Sequence, residues 1–303
     1  MFRTAAPVRR AEPDGTAPVL PRLVRAARYA PGAAAAPYVP DPELEAFYAE
    51  LGAPYGLRFD RDGFAASARR SSVELALGAL DALGGLDAGQ APQLVVTAYA
   101  TPDFVHAELV ASCVKGRLPG GPLAFALSDQ GPLTGFSALR VAVEYARRRD
   151  FTRVLLLTVD QSTQPFPVPD AAAAHTDCAV ALLVEWDGGG APVRGMGQGP
   201  VAAPDTFAGW DPAVPVVAGA GLAESACQLP SYEAPVGVAA PGLPCTGVWT
   251  ALLEAVGRDV TGPVVVADHD PGHGRLAHCT LDCSRTRVTG GKGNTDDGSG
   301  RGA

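Results

Sequence analysis

Short apolar runs of strand length recur along this chain, and stretches with helical spacing lie between them. Leu94-Val95-Val96-Thr97-Ala98, the run 154–159 and the run 178–186 each read as buried strands. A further strand is expected over 123–127. Ser71-Ser72-Val73-Glu74 reads as a capping box. It opens a helix over 72–83, with Val73, Leu77 and Leu80 at helical spacing and Gly84-Gly85 to end it. The stretch 103–114 is expected to be helical. So is 135–148, where Leu139, Val143 and Ala146 share a face and Arg147-Arg148-Arg149 sits at the end that favours cations. Strands alternating with helices imply βαβ units, an α/β fold and a mostly parallel sheet. The theme returns in the second half: strand 214–218, helix 246–256, then strands 264–267 and 275–283 around Asp268-His269-Asp270-Pro271-Gly272-His273-Gly274.

With 303 residues, 47 % of them hydrophobic, the chain has material for one large domain or two ordinary ones. Residues 1–40, rich in Pro, Ala and Arg, read as a surface-hugging arm with one short strand over 22–27. An acidic helix over 41–51 opens an N-terminal half, 41–187. The linker Gly188-Gly189-Gly190 leads into a C-terminal half, 188–284. The segment 285–303 is Gly, Thr, Asp, Ser, Arg and Lys, the composition of a disordered tail. A net charge of −8 argues against a nucleic-acid partner. No apolar run reaches membrane-spanning length, and the start lacks the apolar core of an export signal. The six cysteines form no CxxC pair and read as reduced thiols of a cytoplasmic protein. There is no P-loop, and no GxGxxG follows a strand, so no cofactor is implied.

The ordered set of pieces from Val73 to Glu185 resembles the N-terminal half of ketoacyl-synthase III-like condensing enzymes of the thiolase fold. The helix over 72–83 is followed by the strand over 94–98. Next come Thr101-Pro102-Asp103 at a strand-to-helix turn, then Ala124-Phe125-Ala126-Leu127, like the strand before the nucleophile. Gly135-Phe136 opens a helix, and Asp177-Cys178-Ala179 sits where the family has Asp-Gly-Ala. In the second half, Val216-Val217-Ala218-Gly219-Ala220-Gly221 resembles the strand and loop bearing the first catalytic histidine. Pro244-Cys245-Thr246-Gly247 resembles the turn bearing the second histidine, or asparagine. The stretch 264–283 resembles the terminal hairpin. The resemblance implies a layered αβαβα fold of two pseudo-related halves, the C-terminal one shortened by at least one helical section.

The family's chemistry needs a cysteine at a helix N-terminus, where the dipole favours the thiolate that attacks a thioester, and two polar partners for the oxyanion. Here the turn reads Ser128-Asp129-Gln130-Gly131-Pro132-Leu133-Thr134. The nucleophile position falls on Leu133, counting back from Gly135-Phe136, or on Gly131, counting forward from Phe125. The first histidine position falls on Ala218 or Gly219, the second on Cys245. None carries the family residue, and neither Leu nor Gly can form an acyl-enzyme. Asp129 and Thr134 are expected to cap the following helix. Gln130 matches the glutamine that chain-length-factor subunits, inactive partners of some ketosynthases, carry in place of the cysteine, though out of register. Cys245 precedes a helix, as a reactive thiol would, but reads as a small half-buried replacement for a histidine. Candidate pocket residues are Ser128, Asp129, Gln130, Thr134, Cys245, His269 and His273. A metal site built from His269, His273, His278, Cys279 and Cys283 is disfavoured, because Pro271-Gly272 breaks any helix and Cys279 and Cys283 stand more than about 10 Å apart on a strand.

Three functions fit. The first is a catalytically degenerate ketosynthase-like protein of fatty-acid or polyketide-type specialised metabolism. It would be a homodimer, or a heterodimer with an active ketosynthase, shaping an acyl pocket or docking an acyl carrier protein. The second is an active acyltransferase or condensing enzyme on acyl-CoA or acyl-carrier thioesters, with His269 or His273 as base in a direct transfer. The third is a stand-alone binder of an acyl ligand.

Overall fold

The structure is a computed structural model that describes residues 20–32, 37–167, 176–186, 189–202, 210–225 and 235–285. Most of the expected tail and part of the expected arm and linker lie outside the described residues. In chain order the elements are β1 (Arg22–Tyr29), α1 (Pro42–Gly52), α2 (Arg61–Ala66), α3 (Ser72–Ala82), β2 (Leu94–Tyr99), α4 (Val110–Gly116), β3 (Leu123–Leu127), α5 (Thr134–Arg149), β4 (Arg153–Asp160) and β5 (Cys178–Glu185). There follow β6 (Ala191–Pro200), β7 (Val216–Ala218), α6 (Ala220–Glu224), β8 (Gly237–Val238), α7 (Gly247–Gly257), β9 (Pro263–Asp270) and β10 (Arg275–Asp282).

The ten strands run in the order β3-β2-β4-β5-β1-β6-β10-β9-β7-β8. The first five strands are arranged 3-2-4-5-1 and the last five 8-7-9-10-6, so one topology is used twice. The halves join where Arg22 and Leu23 of β1 pair with Pro192 and Ala191 of β6. The sheet is mixed rather than mostly parallel: β2 pairs in parallel with β3 and β4, and β7 with β8 and β9, while β5, β1, β6 and β10 pair antiparallel. Each half ends on two strands that pair antiparallel, with no helical crossover among the described residues between them.

Burial resolves five layers. On one outer face α3 and α4 pack Leu75, Ala79, Val110 and Val114 against Val95, Leu155, Leu157 and Ala181. The opposite faces of these strands carry Val96, Leu156 and Leu182 into a middle layer with Phe136 and Leu139 of α5 and Trp249 and Leu252 of α7. The second half closes that layer with Val264, Val266 and Ala277. On its far side Leu222 of α6 meets Val216, Val265 and Ala267. Strands β4 and β5 are apolar on both sides because both sides are covered. The order of layers is αβαβα, the thiolase arrangement.

Two local expectations change. The strand expected in a surface arm is β1, which lies inside the sheet with Ala26 and Ala27 fully buried; its pairing with β5 needs interior backbone. The helix expected over 103–114 is confined to Val110–Gly116. Asp103 spends its carboxylate elsewhere: Oδ2 accepts from Ser72 N at 2.7 Å, and Oδ1 from Val105 N and Gln161 Nε2, each at 3.0 Å. Phe104 joins an aromatic cluster with Tyr48 and Phe64. The second half is the leaner one. Between β6 and β7 lie only residues 201–215, with no helix among those described, whereas 30–93 separate β1 from β2 and hold α1, α2 and α3.

Candidate functional site

In α/β sheets the chemistry collects at the carboxyl ends of parallel strands. Here the ends of β3, β7 and β9 and the starts of α5 and α7 meet there. Beyond β3 the chain turns sharply, with Asp129 and Gly131 in the left-handed region at φ 65° and 49°. A single 3-10 turn, Gly131–Leu133, runs straight into α5. The Leu133 side chain is buried in the middle layer. Asp129 and Thr134 do not cap α5, correcting the expectation. Asp129 accepts from the neighbouring Ser128 hydroxyl. Thr134 Oγ1 donates back to Gly131 O at 2.8 Å and accepts from Gln130 N at 3.3 Å. The α5 N-cap position is Leu133, which has no side-chain acceptor. Gln130 Oε1 accepts from the Ser137 hydroxyl, which in turn accepts from Gln198 Nε2 of β6 at 2.8 Å.

At the end of β7, Ala218 and Gly219 offer no side chain with a proton to exchange. A Cβ at Gly219 would fall 1.9–2.2 Å from the carboxyl atoms of Asp268, so the carboxylate occupies the space a residue there would fill. Asp268 Oδ1 accepts from Leu222 N at 3.2 Å and from His269 N at 2.8 Å, which caps α6. Burial outweighs these bonds and pushes the carboxyl up to about 7.

The Cys245 position is equally closed. Its backbone N–H, together with the N–H and hydroxyl of Thr246, donates to Asp160 at 2.7–3.1 Å. Asp160 thereby holds the turn that leads into α7, across 86 residues of sequence. It is fully buried, and burial raises its pKa to about 6 against the pull of those bonds. The Cys245 thiol contacts Ala98 O at 3.5 Å. Burial, then the Asp160 charge, hold it well above the ordinary thiol value, the reverse of an activated cysteine. Trp249, one turn into α7, fits under α5 only because residue 135 is glycine: a Cβ there would meet Trp249 Nε1 at 2.6 Å.

The two histidines of the β9–β10 tip part company. His269 shares its outward face of β9 with Val265 and Ala267, and its Nδ1 lies 2.8 Å from Ser225 Oγ at the end of α6. His273 Nδ1 lies 2.8 Å from Asp270 Oδ2. That oxygen is 3.7 Å from where a Cβ on Gly131 would stand. The His273–Asp270 pair therefore borders the turn before α5, and His269 does not. Cys279 and Cys283 are buried with thiols raised to about 12 and about 11, first by burial. Among the described residues no three His, Cys, Asp or Glu side chains are grouped to hold a metal ion. The larger grooves lie elsewhere, about 740 Å³ along α1 and about 590 Å³ along α5. Asp160 and Asp268, which organise this region, were not anticipated from the sequence. The signal was there: each is an acid directly after a strand run that is apolar but for Thr158.

Five layers, a doubled strand topology and two helices converging at the strand ends define a protein of the thiolase fold. Solved structures with this architecture include the acyltransferase ChlB3 (15 % identity, 87 % of this chain and 98 % of that one, TM-score 0.58). They also include AbyA1, a tetronic acid condensing enzyme (17 %, 86 % and 99 %, TM-score 0.57). A third is the 3-oxoacyl-(acyl carrier protein) synthase III of Pseudomonas aeruginosa PAO1 (17 %, 87 % and 98 %, TM-score 0.54). At these identities the likeness is one of fold. No protein-family model matches the chain, and no curated protein matches it in sequence. No described helix is long and apolar enough to cross a membrane.

Proposed function

We propose that this chain is a ketoacyl-synthase III-like protein of cytoplasmic acyl metabolism, of the polyketide or fatty-acid type, that has given up covalent catalysis. It serves an active ketosynthase by shaping an acyl pocket or docking the carrier protein. The observation that supports this best is how the three positions are filled. Leu133 is packed into the core, Gly219 yields its side-chain space to Asp268, and Cys245 is buried with its thiol proton held. A site that had merely exchanged one nucleophile for another would keep an accessible group at the start of α5. Incubation with a panel of acyl-CoA and acyl-carrier thioesters, read by intact-protein mass and thiol release, tests it. Neither adduct nor release above a heat-killed control is expected; either one overturns the reading.

One observation favours a second reading. The His273–Asp270 pair beside Gly131 has the make-up of a base with its orienting carboxylate, suited to direct transfer from a thioester to an acceptor without an acyl-enzyme. On that reading thiol release occurs with no mass adduct. His273→Ala abolishes it and His269→Ala does not.

A further inference from the structure

The two halves are joined at the start of β1, and a groove of about 380 Å³ opens over the seam, lined by Arg22, Pro192, Arg194, Asp282 and Ser284. Strand register explains the grouping. Arg22 of β1 stands opposite Pro192 of β6. Arg194 is two residues further along β6, so it shares the face of Pro192 and is the diagonal neighbour of Arg22, with about 7–8 Å between the two Cα atoms. Ala191 and Val193, which alternate with them, are buried in the middle layer, so the groove is on the outer face of the sheet. Arg22 pairs with Glu185 at the end of β5, and Glu185 with Arg153 at the start of β4. The groove therefore lies at the pole opposite the strand-end site.

Neither arginine is neutralised by the protein. Glu185, the acid opposite Arg22, is taken by Arg153 at 2.6 Å. Arg22 keeps one bond, to the uncharged Gly190 carbonyl at 3.4 Å. Arg194 is exposed. Among the described residues neither has an ion pair, on a chain whose net charge is −8. Two guanidinium groups set side by side repel each other, and an oxyanion between them turns that repulsion into two charge-assisted contacts. Asp282 stands on the other wall. Its Oδ1 accepts from Ser284 N at 3.2 Å and from the Ser284 hydroxyl at 2.5 Å, which fixes the carboxylate at the groove.

We propose that this groove binds a small phosphate monoester that carries a cationic end. The phosphate dianion lies between Arg22 and Arg194, whose planar forks match its oxygens. The cationic end lies against Asp282. The two positive charges and the one negative charge of the walls are thereby each matched. The same carboxylate repels a second phosphate, so the groove disfavours di- and polyphosphates. A ligand held there touches β1 and β6 at once and clamps the seam between the halves, stabilising the folded chain by mass action. The site is independent of the acyl role proposed above, and an acyl adduct would leave it standing.

Isothermal titration at constant ionic strength, with chloride as the background anion, tests it with three probes: inorganic phosphate, O-phosphoethanolamine and pyrophosphate. O-phosphoethanolamine is expected to bind tightest, and pyrophosphate no tighter than phosphate. Arg22→Gln and Arg194→Gln are each expected to weaken O-phosphoethanolamine at least about tenfold, with circular dichroism to establish that the variants are folded. Arg194 is exposed, so its replacement keeps the test open if Arg22→Gln disturbs the strand. Arg194→Lys keeps the charge, loses the fork and is expected to weaken binding too. Asp282→Asn is expected to erase the preference for O-phosphoethanolamine over phosphate. Arg117→Gln, at the end of α4, is expected to change nothing. Three outcomes overturn the proposal: no binding of any probe above the chloride background, equal binding by the wild type and Arg194→Gln, or pyrophosphate bound more tightly than O-phosphoethanolamine.

Discussion

The two halves share one strand order and differ in how their helices are begun. In the first half the caps are local. Ser71 accepts from Glu74 N at 3.0 Å, Asp41 from Glu43 N and Leu44 N at 3.1 Å, and Asp60 from Gly63 N at 3.0 Å. In the second half the acceptors come from far away: Asp160 of the other half holds the turn that leads into α7, and Asp268 of β9 accepts from the first turn of α6. A locally capped helix can be started by its own sequence. A helix entry held by an acceptor from across the fold has those donors satisfied only once the sheets have met. The leaner half is thus held by its partner half, through buried carboxylates at the strand ends.

Removing the link between the halves is the strongest challenge to that contrast. Asp160→Ala leaves the N–H of Cys245 and both donors of Thr246 buried without an acceptor. The expected loss is about 5 kcal/mol in denaturant unfolding, since each stranded donor costs about 1–3 kcal/mol. A loss no larger than that of a surface cap would mean the halves are not coupled through this carboxylate.

The next effect is one of pH. Asp268 has a folded pKa of about 7 against an ordinary 3.8, so between these values the folded protein binds the extra proton. Its contribution is fully present below about pH 4 and lost as pH rises to about 7, a fall of about 4 kcal/mol. Asp160 adds a fall in the same direction, ending near pH 6. Asp268→Asn keeps an acceptor for Leu222 N and His269 N but cannot ionise. Unfolding midpoints measured across this range should lose the Asp268 part of the slope. A slope unchanged in the variant would show that the carboxylate does not carry it.

The same contrast explains what the sequence disclosed. The runs that became β2, β4 and β5 were legible because both their faces are buried, and 123–127 matched β3 to the residue. The start of α3 was legible because Ser71 and Glu74 are neighbours. Asp103 was misread because its partners, Ser72 and Gln161, are distant, so the carboxylate draws the chain into a loop where local pattern suggested helix. Thr134 was misread as a cap because nothing local reveals that its hydroxyl turns back to Gly131. At the candidate site the emptied positions could be read as absences in a pattern. The carboxylates that fill the space could not, since each also takes backbone donors far off in sequence, Leu222 for Asp268 and Cys245 and Thr246 for Asp160.

A smaller effect sharpens the picture of the middle layer. Gly135→Ala puts a methyl group 2.6 Å from Trp249 Nε1 and 3.2 Å from Thr158 Cγ2. The indole is rigid and buried, so it cannot swing away cheaply. Overpacking of about 1–3 kcal/mol outweighs the gain in helix propensity of about 1 kcal/mol that alanine brings. The net loss, up to about 2 kcal/mol, should come with a changed Trp249 fluorescence. A stabilised variant would mean that α5 and α7 are less closely packed than their residues imply.

The smallest effect serves as the reference for the others. Ser71→Ala removes one local acceptor at the start of α3, on the outer layer. Substituting a serine cap costs about 1 kcal/mol. Because the hydroxyl does not titrate, the cost should be the same at pH 4 and at pH 7, where the Asp268 contribution differs. If Ser71→Ala cost as much as Asp160→Ala, or altered the pH slope, the outer helix would be coupled to the strand-end carboxylates. The division between a locally specified half and a half held by its partner would then fail.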